Sequence, residues 1–255
     1  MKKTLAFLLL AILSLLLCLP ASAEEITVYV TVVDGTPMLA YRSVTVTDAD
    51  GDGTLTISDA LACAHETYFP DGASGYGTAM TEFGISMTKL WGKDNSGGYG
   101  YYHNDEAPMS LADKVSDGDR VTAFCYRDMK FYSDTYAFFD KYEVKGKEIA
   151  LTLCTAGYDA DWNPVTAPAA GMSILVDGKP SGFVTGEDGK VTLTLDGKAH
   201  EITAEKEGTY LVTPYCRVLA AENPATGDCF VIVAMLAAAF ALTAFAAGKK
   251  ICSRS

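Results

Sequence analysis

Histidine is scarce in this 255-residue chain, which has only His65, His103 and His200. It contains no Gly-x-Ser-x-Gly elbow, His-Glu-x-x-His pair or Gly-rich phosphate loop. The common devices for acyl transfer, zinc-assisted hydrolysis and phosphoryl transfer are therefore missing. Cys63 and His65 come nearest to a thiol–imidazole pair, but two residues apart on a helix they point about 200° away from each other. Catalysis is not expected. Basic residues are also in the minority, 20 Lys+Arg against 32 Asp+Glu, for a formal net charge of −12. A surface of that sign repels nucleic acid and anionic lipid and attracts divalent cations. The chain has seven cysteines, of which Cys63, Cys125, Cys154 and Cys216 lie between the two apolar ends. Four cysteines allow three disulfide pairings in an exported protein. Cys125 and Cys154, however, sit in apolar, strand-like runs, where a free cysteine behaves as a small hydrophobe.

The longest apolar runs are at the termini. Met1-Lys2-Lys3 precedes an apolar stretch from Leu5 to Leu19, followed by Pro20 and Ala21-Ser22-Ala23. A basic start, an apolar segment of this length and a small-x-small site predict a signal peptide cleaved after Ala23. Leu17 before Cys18 is too bulky for a lipoprotein processing site. At the other end, Asn223-Pro224-Ala225-Thr226-Gly227 precedes an apolar run from Cys229 to Ala247, and Lys249, Lys250 and Arg254 follow. That run is long enough to span a hydrocarbon core of ~30 Å, with the basic tail inside. The three-part order resembles a sortase sorting signal of the x-Pro-x-Thr-Gly kind. The resemblance implies cleavage between Thr226 and Gly227, attachment to cell-wall peptidoglycan, and a membrane helix before sorting. The expected location is the cell surface of a Gram-positive-type envelope, anchored to the wall or the membrane with the acidic region outside.

Between the ends, Ile26, Val28, Val30 and Val32 alternate with polar residues, the period of a strand. Ser43–Thr47 reads as a second strand. Asp59–Phe69 reads as a helix, with a stripe of Leu61, Ala64 and Tyr68. Shorter strands are predicted near Gly84–Met87, Tyr99–His103 and Arg120–Arg127. After about Asp140, four further strand-like runs are punctuated by Asp177-Gly178, Asp188-Gly189 and Asp196-Gly197, which suits a small β-sandwich.

Asp48-Ala49-Asp50-Gly51-Asp52-Gly53-Thr54-Leu55-Thr56-Ile57-Ser58-Asp59 matches the twelve-position EF-hand loop. It has carboxylates at positions 1, 3, 5 and 12 and Gly53 at the sharp turn. Alternate carboxylates can converge on one hard cation, so Asp48, Asp50, Asp52, the Thr54 carbonyl and Asp59 are candidate ligands of a structural Ca²⁺. The same residues also read as an acidic turn in which Thr56 and Asp59 cap the helix. Trp91, Tyr99, Tyr101 and Tyr102 lie among glycines and form the candidate surface for a small-molecule or glycan ligand. They read equally as rings closing a small core.

The acidic loop opening a helix, the Gly98–Asn104 aromatic segment and the run Ala112–Val121 together resemble the transcobalamin-like C-terminal β-grasp family. That resemblance implies a β-grasp fold and small-ligand binding over about residues 25–140. Residues 145–220 are similar to carboxypeptidase-regulatory-like or immunoglobulin-like surface modules. The expected fold class is α+β: a β-grasp-like domain at 24–141 and a small all-β immunoglobulin-like sandwich at 142–221. A signal peptide at 1–23 and a transmembrane sorting segment at 222–255 flank them. The expected function is a surface-anchored, Ca²⁺-stabilised binding or adhesion protein. The alternatives are a passive stalk or an enzyme with an unrecognised site.

Overall fold

The computed structural model describes residues 25–161 and 163–221. Its first half is built on a hairpin of β1 (Ile26–Asp34) and β2 (Thr36–Val46), followed by helix α1 (Ile57–Tyr68). A small separate hairpin of β3 (Gly77–Thr81) and β4 (Gly84–Lys89) comes next, then β5 (Tyr99–His103) and β6 (Arg120–Cys125). The main sheet has the order β2-β1-β6-β5, with β1 and β6 parallel and the outer pairs antiparallel. Val28, Val30 and Val32 of β1 point to one face and are fully buried. Helix α1 covers that face with Ile57, Ala60, Leu61, Ala64 and His65. These positions follow the i, i+3, i+4, i+7, i+8 spacing of a single helical stripe. Thr56 starts the helix: its hydroxyl accepts from the Asp59 N–H while the Asp59 carboxylate accepts from the Thr56 N–H, a capping box.

The pairing of β1 with β2 carries one irregularity. Val30 pairs with Arg42 but Val32 pairs with Leu39, so β2 carries an extra residue opposite Thr31. Tyr41 absorbs it with φ of 45°, and its N–H donates to Thr31 Oγ1 at 3.1 Å. A bulge shifts the two-residue parity of a strand. Arg42 therefore follows Leu39 on the helix-covered side, while Tyr41 turns to the opposite face and stacks on Tyr29.

The second half begins with β7 (Thr135–Phe139), β8 (Glu143–Lys145) and the long β9 (Glu148–Tyr158). It continues with β10 (Pro164–Pro168), β11 (Ser173–Val176), β12 (Lys179–Val184) and β13 (Lys190–Thr194). It ends with β14 (His200–Glu205), β15 (Leu211–Val212) and β16 (Tyr215–Leu219). Along one edge β9 pairs first with β13 and then with β10, changing partner at Leu153. There the Leu153 N–H donates to Gly189 O and its carbonyl accepts from the Ala169 N–H, both at 2.9 Å. A β-carbon at Gly189 would lie 2.4 Å from the Leu153 oxygen, so the crossing requires glycine. The other edge of β9 holds β7, which holds β15. A second sheet of order β12-β11-β14-β16-β8 faces it. Phe139, Ile149, Leu151, Leu153 and Leu193 from one sheet bury against Ile174, Ile202, Cys216 and Val218 from the other. Full burial of each large aliphatic side chain contributes about 1.5–3 kcal/mol.

These observations correct the expected fold class. Among the described residues the fold is mixed α+β, mostly strand with one short α-helix, and this coarser description replaces the expected set of β-grasp domain, immunoglobulin-like sandwich and transmembrane segment. The sheets of the second half are not purely antiparallel, because β15 runs parallel to β7 and β16 parallel to β8. Among the described residues, no helix is long and apolar enough to cross a membrane. At 12 residues α1 rises only about 18 Å, against a hydrocarbon core of ~30 Å. Among the described residues, the transmembrane assignment and the membrane partnership it implied therefore have no helix to rest on. The signal peptide, the Asn223–Gly227 motif behind the sortase and peptidoglycan expectation, and the apolar run after it lie outside the described residues.

Candidate functional site

The acidic loop leading into α1 brings three of its expected ligands together. Oxygens of Asp48, Asp50 and Asp52 lie within 4.8 Å of one another, a cluster that could coordinate a metal ion. Backbone amides gather the group: Asp48 Oδ1 accepts from Gly51 N at 2.7 Å and Asp48 Oδ2 from Gly53 N at 2.8 Å. Asp52 Oδ1 accepts from Thr54 N at 2.7 Å. The Gly53 hydrogen bond is the main reason the Asp48 carboxyl is held below its ordinary value. For Asp50 the largest influence, a hydrogen bond from the Asp52 N–H, also lowers it. Desolvation, the charges of Asp52 and Asp59 and a hydrogen bond shared with Asp48 together outweigh that and raise it. Like charges crowd here. Asp59 stands apart from the cluster, because its buried carboxylate accepts from Thr56 N at 2.9 Å, Thr56 Oγ1 at 2.6 Å and Ala49 N at 3.0 Å.

The candidate aromatic surface is divided. Tyr99 and Tyr101 alternate with Tyr102 along β5, so the first two pack against the core under α1 and Tyr102 packs on the other face. The Tyr99 hydroxyl accepts from Asn95 N at 2.6 Å and lies 2.9 Å from Thr88 O, which closes a turn. The Tyr102 ring stacks on Tyr136 of the second half at 3.7 Å, and burial pushes its phenol up to about 12. Trp91 alone of the four reaches the cleft between the two halves of the fold.

The histidines are engaged elsewhere. His65 is buried, with Nδ1 donating to Leu61 O at 2.6 Å and Nε2 accepting from Trp91 N at 3.0 Å. Burial lowers its pKa. His103 contacts Asp119 at 2.8 Å, and His200 lies between Asp177 and Asp196, each at 2.8 Å. Cys63, Cys125, Cys154 and Cys216 are all free thiols. Burial pushes Cys125 up to about 11, away from reactivity at neutral pH.

The two halves are joined along one seam. Val33, Phe124, Tyr136 and Val212 form a shared apolar cluster. Beside it, Asp105 accepts from the Tyr136 hydroxyl at 2.9 Å, from Arg120 Nη2 at 2.9 Å and from the Tyr142 hydroxyl. Tyr142 stacks on Tyr41 at 5.1 Å, and Arg120 lies 4.9 Å over its ring. Thr213 Oγ1 also donates to Gly35 O at 2.7 Å across the seam.

Beyond that seam the halves diverge and leave a cleft of 1130 Å³. One wall is the outer edge of β2 from Thr36 to Ala40, with Arg42, Tyr68, Trp91 and Arg127. The other is the exposed face of β14, the loop from Lys206 to Tyr210, and Arg217 of β16. Tyr215 at the base is kept neutral: burial first, then the Glu201 carboxylate that accepts its O–H at 3.2 Å, pushes it up to about 12. This site was not expected from the sequence, since its walls bring residues 35–42, 68, 91 and 127 together with residues 175–217. The nearest available signal was the rarity of arginine in so acidic a chain.

A scan against protein-family models and a search of curated proteins both find no match to this chain.

Proposed function

We propose that the protein is an exported, surface-located binding protein without catalytic activity, that its ligand occupies the cleft between the two halves, and that the Asp48–Asp52 loop holds Ca²⁺ as a structural ion. The cleft is the observation that carries this reading. Ligand sites favour concave junctions between structural units, where two walls can desolvate a guest. This one joins aromatic rings, threonine hydroxyls and guanidinium groups. Its described lining offers neither histidine nor cysteine, which supports binding over chemistry. Export rests on residues 1–23. For the ion, Ca²⁺ takes six to eight oxygens in a flexible shell. Asp48, Asp50 and Asp52, whose second oxygens and lone pairs retain capacity, suit that demand. Engagement of Asp59 in the helix cap leaves the shell to be completed by water, which places the affinity at the weak end, about 10⁻⁴–10⁻³ M.

A screen of sugars, peptides and small organic acids, followed by hydrogen exchange, tests the binding reading. A bound ligand should slow exchange at the amides of 36–42 and 203–211 together. Protection confined to other surfaces, or none across the screen, would favour a passive spacer instead.

A further inference from the structure

We infer that the guest of this cleft is a compact organic anion, gripped by the guanidinium groups of Arg42 and Arg127; the inference rests on the cleft being the binding site. The described residues include four arginines, and Arg42, Arg127 and Arg217 all line the cleft, joined by Lys206. Among the described residues two carboxylates, Glu201 and Glu205, share the lining. The sign is opposite to that of the chain, whose formal net charge is −12. An acidic protein that gathers its arginines into one concave site creates a local attraction for anions that the rest of its surface lacks.

The four cations are not equivalent. Arg217 is paired with Glu143, its Nε at 2.9 Å from Oε2, and Lys206 Nζ donates to Ala170 O at 3.1 Å. Arg42 and Arg127 are held by rings. The Arg42 guanidinium lies 5.9 Å from the centre of the Tyr68 ring, and that of Arg127 lies 5.0 Å from the centre of Tyr210. Among the described residues neither guanidinium has a hydrogen bond or an ion pair. A ring face holds a cation without using its N–H groups. Each guanidinium thus keeps a planar set of donors matched to a carboxylate or phosphate.

Both mounts are built features. Tyr68 is fixed by its hydroxyl, which donates to Ser43 O at 2.8 Å. Arg42 reaches that side of the sheet only because the bulge at Tyr41 shifts the parity of β2. Arg127 leaves the first half to rest on Tyr210 of the second, so its position depends on the junction.

Size follows from the surrounding charge. At physiological salt, charges are felt over about 8 Å. A polyanion longer than the cleft would run onto a surface where acids outnumber bases and would be repelled. A guest contained in 1130 Å³ avoids that, and Trp91, Tyr68 and Tyr210 offer apolar area to its body. Carboxylate and phosphate satisfy the two forks equally, so the probes must separate them.

The full-length chain carrying Trp162→Phe keeps Trp91 as its one tryptophan, a reporter on the cleft wall. Digalacturonate, the dipeptide Glu-Leu and glucose 6-phosphate are titrated at low salt against digalactose, Gln-Leu and glucose. At least one anion should saturate the Trp91 signal with Kd below about 1 mM. Its neutral counterpart should bind at least about tenfold more weakly, and Arg42→Gln and Arg127→Gln should each cost a similar factor without moving the melting curve, because both side chains are exposed. Equal binding of the neutral probes, or full affinity in both arginine variants, overturns the anion assignment and leaves the cleft as a binding site. Silence from every probe overturns the anion assignment too, whereas the exchange map decides the binding reading independently.

Discussion

Replacing Asp105 with alanine should destabilise the protein by about 3 kcal/mol, the lower end of the range for breaking a buried ionic contact. The carboxylate side chain is only 11% exposed and serves three donors from three elements: Arg120, Tyr136 and Tyr142. A buried donor left without a partner costs about 1–3 kcal/mol, but the three losses are unequal. Arg120 is about a third exposed, at 32%, so water reaches part of its guanidinium and its share is discounted, although its Nε is buried without a partner. The Tyr136 hydroxyl can fall back on Thr122 Oγ1, 3.4 Å away. The Tyr142 ring is held between Tyr41 and Arg120, with the Tyr136 hydroxyl as a neighbouring side-chain partner. Asp105→Asn retains shape and one acceptor and should cost about half as much. For a chain of this size, 3 kcal/mol corresponds to a fall in melting temperature of about 6–12 °C. Urea denaturation followed by circular dichroism gives the free energies, and an unchanged slope would confirm that the unfolded state is unaltered. A loss below about 1 kcal/mol in the alanine variant, or equal losses in both variants, would refute the view that this carboxylate ties the halves together.

Three further outcomes are expected. His65 and His200 should give opposite pH dependences, read from urea midpoints between pH 5 and 8. The lowered pKa of buried His65 withdraws stability as pH falls below the unfolded value of ~6.5, and a nitrogen-resolved titration should find its ring still neutral at that pH. The raised pKa of His200, caused first by Asp177 and then by Asp196, adds stability that is complete below ~6.5 and lost as pH rises through the folded value. The advantage of the wild type over His200→Gln should therefore shrink with rising pH, and a constant gap would contradict the assignment. Gly189→Ala should cost about 3 kcal/mol or more through collision with the Leu153 carbonyl, whereas Gly182→Ala, with φ of 81° and nothing within 4 Å of its new carbon, should cost only the left-handed strain of about 1–2 kcal/mol. Calorimetry should detect Ca²⁺ binding with Kd of about 10⁻⁴–10⁻³ M, abolished in Asp50→Ala/Asp52→Ala, and heat-free titrations to several millimolar would remove the ion.

Where local rules acted alone, the sequence was readable. The alternation of Ile26–Val32 places β1, and the Thr56/Asp59 pair with its apolar stripe places α1 to within two residues. The turns Asp188-Gly189 and Asp196-Gly197 bracket β13 for the same reason, and the second leads into β14, since they demand a reversal that few other residues supply. The start of β2 was hidden. Pro37 and the extra residue at Tyr41 break its alternation, so only the regular end, after Arg42, resembled a strand. Strand β7 was equally opaque, because Thr135–Phe139 continues the aromatic composition of the first half yet pairs with β9 of the second. Pairing is a long-range choice that composition does not encode.

The site divides along the same line. The three clustered carboxylates lie within five residues, so local spacing was enough to bring them together, while Asp59 had two local uses and composition could not rank them. In the structure Asp59 takes the helix-cap role: its buried carboxylate accepts from the amide and hydroxyl of Thr56 at the start of α1 and from the Ala49 amide of the loop, interactions available without any ion. The cleft has no local signature at all. Arg42, Arg127 and Arg217 are isolated in sequence and each has an ordinary neighbourhood. Their convergence depends on a bulge that turns one strand, a ring that crosses between halves, and a junction fixed by Asp105. Each of those is a tertiary event. An isolated arginine in an acidic chain is therefore uninformative by itself, and the same three become informative once the fold places them on facing walls with two of their donor sets unengaged.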